Sequence, residues 1–333
     1  MRELARQAGV SHATVSRALR NDPRISEAVT RRLQRLARKL GYRRDPKLAA
    51  FMTHLRNKPQ QGFHGTLAWI TDYNLTLPQE QEIHGFYWGH AERRAAELGY
   101  RLECFSGVRS ADAPRLGRIL RSRSIQGVAL RNMDAVDYAR WNWDWRRLAC
   151  VHNGALQSVP LVDASDADDV ANNLHLFEVL SKKQYRRIGV LTLRSIEAGI
   201  QFSLCGAQAR FALVHPEHPC FPPCLLDDLG AAARRQAAAW LKRHDVECVV
   251  TQAPGMREFL EELGHPVPRR IGCAAQGVGQ HSVYSGIYQR DDELARSMIE
   301  SVVNSLALGR FGLPAIPRQI LIPGTWHQGE TTR

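Results

Sequence analysis

The sequence has no run of eighteen apolar residues, and its basic N-terminus lacks the apolar core of a signal peptide. Neither a membrane span nor secretion is expected, and the cytoplasm is the expected compartment. There is no glycine-rich phosphate loop and no nucleophile-elbow serine. Glu178, Asp227 and Asp228 form no evident acid/base pair, so no enzyme and no cofactor are expected. The seven cysteines (104, 150, 205, 220, 224, 248 and 273) are odd in number and scattered. That excludes a regular disulfide framework and suits buried thiols in a reducing compartment. Cys220-Phe-Pro-Pro-Cys224 lacks a matching second pair, so even with His215 and His218 nearby no metal site is expected. Acidic residues are scarce at one end. Residues 1–56 hold fourteen Lys/Arg against four Asp/Glu, and the whole chain carries a net charge of +12. A solvated face would carry balanced signs; this imbalance points to a polyanion partner.

The basic end contains Ala5-Arg6-Gln7-Ala8-Gly9-Val10-Ser11-His12-Ala13-Thr14-Val15-Ser16-Arg17-Ala18-Leu19. It reads as two short helices joined by a tight turn. Gly9 tolerates positive φ and ends the first helix; Ser11 caps the second. Small Ala5 lets the helices cross closely, and Val10 and Val15 supply apolar contacts. The second helix, about Ser11 to Leu19, offers short, polar and cationic side chains, which suit a DNA major groove. His12, Ala13 and Arg17 are the candidate base readers. Ser11, Thr14, Ser16, Arg20 and Ser26 are candidate backbone contacts, which position without specifying. A third helix runs from Ser26 to about Leu40, with Leu33, Leu36 and Leu40 on one stripe. It closes at Gly41-Tyr42.

The Val-Ser-x-x-Thr-Val-Ser-Arg run and the closing Gly-Tyr resemble the headpiece of the LacI/GalR (lactose-repressor) family of bacterial transcription regulators. That resemblance implies a hinge after the headpiece, at Arg43 to Met52. It would fold when two subunits meet on DNA, with Leu48, Phe51 and Met52 as minor-groove wedges. An apolar wedge unstacks a base step and kinks the duplex. Asp45-Pro46 and Phe51 depart from the family's usual hinge pattern. Asn57 to Gly62 reads as a linker.

From Gly65 strands alternate with helices, which argues for parallel sheets covered on both faces. Strands are expected at 66–71, 101–105, 127–130, 148–151, 187–191, 248–251 and 270–274. Helices are expected at 85–98, 116–123, 166–181, 231–244 and 256–263. The order resembles the family's periplasmic-binding-protein-like core. The implied fold class is α/β: an all-α helix-turn-helix headpiece (1–42), a hinge and linker (43–62), and a two-lobed type I core (63–333). The chain would cross between lobes three times.

Open α/β sheets bind ligands at strand ends. Asp72, Tyr73, Phe86, Trp88, Arg131, Asn153, Gln252 and Gln276 are therefore candidate ligand residues, with Asn74, Tyr87, Asn132 and His152 beside them. Aromatic faces with amides suit a polyhydroxylated molecule. The family's usual sugar-binding arginine, three residues before a glycine, is replaced by Ser203 ahead of Gly206. Its usual aspartate after the strand at 270–274 is replaced by Gln276. Trp141, Trp143 and Trp145 alternate and are expected to pack over the first lobe, a protein contact being the alternative.

The expected function is sequence-specific regulation of transcription, as a repressor of the LacI type. A homodimer would read a pseudopalindromic double-stranded DNA operator. A small molecule between the lobes, with carbohydrate as one candidate, would tune affinity. No leucine heptads follow Trp326, so a dimer is expected rather than a zipper-joined tetramer. The rival reading is a small-molecule binding protein whose headpiece is only a generic DNA anchor.

Overall fold

The computed structural model describes residues 8–11, 14–15, 18, 25–39, 64–131, 141, 143–153 and 162–333. The chain divides into two compact units, Met1–Gly62 and Phe63–Arg333.

In the first unit, helix α1 spans Glu27–Lys39. Its first carbonyl bond runs from Thr30 N–H to Ser26 O at 2.9 Å. Leu33 and Ala37 bury one face of α1 against Ala8, Val15 and Ala18, with Val10, Ile25, Val29 and Leu36 packed around them. Burying a leucine or valine of this kind is worth about 1.5–3 kcal/mol. Arg32 donates to the Ala8 carbonyl (3.2 Å), tying α1 to the turn. The position expected for Leu40 lies outside the described residues.

The second unit holds two six-stranded sheets. The first has the order β11-β5-β4-β3-β1-β2, with β1 Gly65–Thr71, β2 Tyr100–Phe105, β3 Gly127–Arg131, β4 Ala149–Asn153, β5 Asp163–Ala167 and β11 Gln319–Ile322. All its pairings are parallel. Parallel strands covered on both faces read as near-continuous apolar runs. Leu67, Trp69, Ala129 and Val151 face helices α2 (Pro78–Glu97) and α9 (Asp291–Ala307). Ala68, Ile70, Val128, Leu130 and Cys150 face α3 (Ala113–Ser122) and the tryptophans. Trp141 and Trp143 are buried, and the Trp143 indole donates to the Ala113 carbonyl at 2.7 Å. A Cβ on Gly117 would stand 2.6 Å from that ring, so α3 needs glycine there. The trio thus packs on its own lobe.

The second sheet has the order β12-β10-β9-β8-β6-β7. Its strands are β6 Ile188–Leu193, β7 Cys224–Leu226, β8 Cys248–Thr251, β9 Gly272–Val278, β10 Ser285–Tyr288 and β12 Thr325–His327. Only β12, against β10, runs antiparallel. Helices α4 (Asp169–Lys182) and α6 (Ser203–Val214) cover one face; α7 (Ala231–His244) and α8 (Met256–Glu262) cover the other, while the short α5 (Arg194–Gly199) follows β6. The chain crosses between sheets three times, at β5 to α4, β10 to α9 and β11 to β12.

Several boundaries move from their expected places. Helix α2 begins at Pro78, not Gly85, because proline suits a first turn and the polar stretch after it carries no helical stripe. The expected helix from Asp166 starts at Asp169; Asp163–Ala167 is a strand. That strand alternates polar and small residues, and side-chain bonds hold it: Ser165 Oγ donates to Ser297 Oγ at 2.7 Å, and Arg318 pairs with Asp163. The strand expected from Arg270 begins at Gly272. Among the described residues no helix is long and apolar enough to cross a membrane.

Gly286 in β10 gives a direct test of the second sheet. A Cβ there would stand 1.8 Å from the Ala275 carbonyl oxygen, a backbone atom that side-chain motion cannot relieve. Gly286→Ala is expected to lower the stability of the second unit by at least about 2 kcal/mol. A shift of its urea midpoint measures this; an unchanged midpoint would contradict the packing.

Candidate functional site

The first unit presents the candidate nucleic-acid interface. Gly9 has φ +66°, the left-handed turn the sequence requires. Ser11 Oγ accepts from Thr14 N–H at 3.1 Å, and Val15 N–H bonds the Ser11 carbonyl at 3.1 Å. Ser11 is therefore an N-cap with a helical turn after it. Ser11 Oγ and Thr14 Oγ1 also share a 2.9 Å hydrogen bond. Val15 and Ala18 are fully buried, so this helix turns that face inward. Ser26 is exposed just ahead of α1. His12, Ala13, Ser16, Arg17 and Arg20 lie outside the described residues, as do Leu48, Phe51 and Met52 of the expected hinge.

The second candidate site is the cleft where strand ends of the two sheets face each other. On the first-lobe side, Asp72 follows β1 and is buried. Tyr73 comes next, its N–H bonded to Thr71 Oγ1 at 3.2 Å. Arg131 ends β3 and is only 7% exposed. Its guanidinium lies over the Tyr87 ring at 3.9 Å and near the Tyr73 ring at 5.9 Å. Burial alone would favour loss of the charge, but Tyr87, Tyr73, Asp166 and Asp291 outweigh it and hold Arg131 above its ordinary pKa. Burial lifts the Tyr87 phenol well above its usual range, with Arg131 opposing. Asn153 ends β4, buried, and donates to Ser165 O and Asp166 Oδ1, both at 3.0 Å. Its neighbour His152 is buried as well. Phe86 is exposed on α2. Trp88 is held in an aromatic group, edge-on to Trp69 (6.3 Å) and stacked with His84 (5.4 Å). Asn132 lies outside the described residues.

On the second-lobe side, Gln276 in β9 is buried and donates to Asp169 Oδ1 at 2.6 Å. Its own Oε1 is buried without a partner. Gln289, just after β10, reaches the same Asp169 oxygen at 3.4 Å. Gln252 follows β8, half-buried, with its N–H 3.4 Å from Thr192 Oγ1. Ser203 Oγ accepts from Asn173 at 3.1 Å. The sequence reading missed Asp166, Asp169, Gln289 and Asp291. The signal was present as Asp166-Ala-Asp168-Asp169, a carboxylate run at a strand–helix junction.

That junction is the start of α4, where Asp168 Oδ1 accepts from Ala171 N–H at 2.9 Å. Burial, reinforced by Asp166 and with Gln276 opposing, pushes Asp169 from 3.8 up to about 7. Asn172 Oδ1 accepts from Gly324 N–H at 2.6 Å. The first turn of α4 thus touches all three crossovers. A cavity of about 610 Å³ opens beside it, lined by Asp166, Asp169, Phe202, Ser203, Arg210 and Leu321 among others. The size fits a small ligand. The histidines near Cys220 are spent elsewhere: His215 bonds Glu178 (3.1 Å) and Glu217 (3.3 Å), and His218 bonds Ser181 Oγ and the Arg186 carbonyl, both at 2.9 Å.

Residues 1–45 match the family described as "Bacterial regulatory proteins, lacI family". No curated protein sequence matches the chain. Among solved structures, the complex of the transcriptional regulator CelR with cellobiose is 18% identical, covers 98% of each chain and gives a TM-score of 0.63. The lac repressor dimer bound to operator and the anti-inducer ONPF is 14% identical, covers 99% of this chain and 97% of its own, and gives 0.57. The transcription regulator CcpA of Lactococcus lactis is 10% identical over 81% of this chain and all of its own, with a TM-score of 0.61. Residues 1–45 therefore match a lacI-family regulatory domain, and the chain as a whole has the fold of these solved regulators.

Proposed function

We propose that the protein is a sequence-specific DNA-binding regulator of transcription, a homodimeric repressor in the cytoplasm, whose operator affinity is set by a small molecule in the cleft. The observation that carries this is the lacI-family match of residues 1–45, joined to the Ser11-capped helix with its buried Val15–Ala18 face. Two headpieces on a dyad read half-sites about one helical turn apart. Neither solved neighbour's ligand is carried over by identity. What supports a ligand here is the row of buried polar side chains at the strand ends. A ligand that binds one arrangement of the lobes better than the other shifts that equilibrium and, through it, the placement of the two hinges.

The test is selection of genomic fragments by the purified protein at moderate salt. Enriched dyad-symmetric sites support the reading. Retention without sequence preference, falling steeply with salt, favours the rival in which the headpiece is a generic anchor.

The hinge has its own test. If Phe51 wedges a base step, Phe51→Ala lowers operator affinity about tenfold and reduces the bend seen by circular-permutation gel shift, because unstacking is worth a few kcal/mol. An unchanged bend angle removes Phe51 from the minor groove.

A further inference from the structure

Strand β11 forms one edge of the first sheet, and no described strand pairs with its outer side. Ala164 N–H bonds the Arg318 carbonyl at 2.8 Å, and Asp168 N–H bonds the Ile322 carbonyl at 3.0 Å. Backbone groups alternate along a strand. Residues 318, 320 and 322 therefore face β5, while Gln319 and Leu321 turn their N–H and C=O outward. Such a row is a template for another strand. Pro317 and Pro323 have no N–H and end the free ladder on both sides, each three residues from Ile320. The opposite edge of the sheet, β2, carries Arg101 and Glu103, charges that discourage pairing. β11 reads Gln-Ile-Leu-Ile and carries none.

Apolar side chains flank this edge on both faces. Ile320 lines a cavity of about 120 Å³ beside Asn304 of α9. Leu321 lines the 610 Å³ cavity with Val170 and Phe202. With Ile316 just ahead of the strand, these five side chains are each at least 45% exposed. Together they expose on the order of 500 Å² per copy, before the strand backbone is counted. A stable interface takes roughly 600–1,000 Å² from each partner, so a matching surface of this kind suffices. Arg318 beside it is neutralised by Asp163. An uncharged apolar edge whose prolines lie symmetrically about Ile320 is complementary to itself.

We infer that β11 pairs with the β11 of a second copy, antiparallel about a two-fold axis through Ile320. Gln319 of each copy exchanges two backbone hydrogen bonds with Leu321 of the other, and the two Ile320 side chains meet. All pairings within this sheet are parallel, so the two β1 strands of such a pair run in opposite senses. The two chains then enter their cores from opposite ends of the joined sheet. Two headpieces on one dyad operator must come from the same side. The contact therefore joins one operator-reading dimer to another. That last step rests on the homodimer proposed above; the edge pairing does not.

The test is sedimentation velocity of the full chain over a wide concentration range. The wild type is expected to exceed the mass of a homodimer as concentration rises. Ile320→Lys and Ile320→Glu each place like charges directly opposite, and each should weaken this association at least about tenfold. An equal mixture of the two should regain it, because lysine then faces glutamate. Leu321→Pro deletes an outward N–H and no bond to β5, and it should weaken association as well. A wild type that never exceeds the homodimer overturns the inference. So does association that survives either charge variant, or a mixture no better than its parts. Monomeric charge variants overturn it too, since the edge would then be the operator-reading contact itself. Ile320→Lys should select the same dyad-symmetric fragments as the wild type. Absence of selection by both counts against the regulator reading and leaves the edge pairing standing.

Discussion

Replacing Arg17 by alanine is expected to erase the protein's preference for its operator while leaving its affinity for scrambled DNA almost unchanged. Ser11 caps the helix, and Val15 and Ala18 are fully buried beneath it. At 100° per residue, the helix expected from the sequence over Ser11 to Leu19 predicts Arg17 at 200° from Val15 and 100° from Ala18, away from those two. The same periodicity predicts Ala13, four residues earlier, on the same stripe. A guanidinium there can take guanine O6 and N7 bidentately, worth about 1–3 kcal/mol of discrimination. Two half-sites double this to about 2–6 kcal/mol, or roughly thirty-fold to more than ten-thousand-fold in operator affinity. Arg20, offered as a backbone contact, should behave differently. Arg20→Ala weakens operator and scrambled DNA alike and, lost from both subunits, lowers the salt slope by about two. Fluorescence anisotropy across a salt series separates the two. Equal weakening of both DNAs by Arg17→Ala would remove it from the base readers.

Which parts were legible in the sequence follows from how local their physics is. The left-handed turn at Gly9 and the cap at Ser11 involve residues within a few positions of each other, and composition alone signals them. The central strands were legible because burial on both faces demands apolar runs, as in Leu67-Ala68-Trp69-Ile70 and Cys248-Val249-Val250. Strand β5 was not, because its sequence Asp-Ala-Ser-Asp-Ala is stabilised by Ser297 and Arg318, more than a hundred residues away. Helix α6 buries Gln208 among Leu204, Ala207 and Phe211, and its amide donates to the Phe221 carbonyl at 3.1 Å, so a polar residue interrupts the apolar stripe. In the cleft, the rule that ligand residues follow strand ends located Asp72, Arg131 and Asn153, all of them buried there. It missed Asp169 because its partners Gln276 and Gln289 stand 107 and 120 residues along the chain. No window of sequence contains that contact.

Asp169 makes the stability of the second unit depend on pH. Its pKa in the fold, about 7, lies above the ordinary 3.8 because burial disfavours the charge and Asp166, Asp168 and Glu197 repel it. Between those values the folded protein holds a proton that the unfolded chain has released. Stability from this group is therefore present below about pH 4, falls as pH rises toward 7, and stays flat above it. Three units correspond to at most about 4 kcal/mol, at 1.36 per unit. Asparagine is neutral throughout and keeps the oxygen that accepts from Gln276 and Gln289. Asp169→Asn should therefore match the wild type at pH 4 and exceed it at pH 8, with a flatter profile between. Asp169→Ala should be weaker at both, since it strips two glutamine amides of their acceptor where α4 meets the crossovers. Urea midpoints at pH 4, 6 and 8 for all three proteins decide the matter. Parallel profiles for wild type and Asp169→Asn would mean that the carboxylate is already ionised at pH 4, and that Gln276 and Gln289 compensate its burial in full.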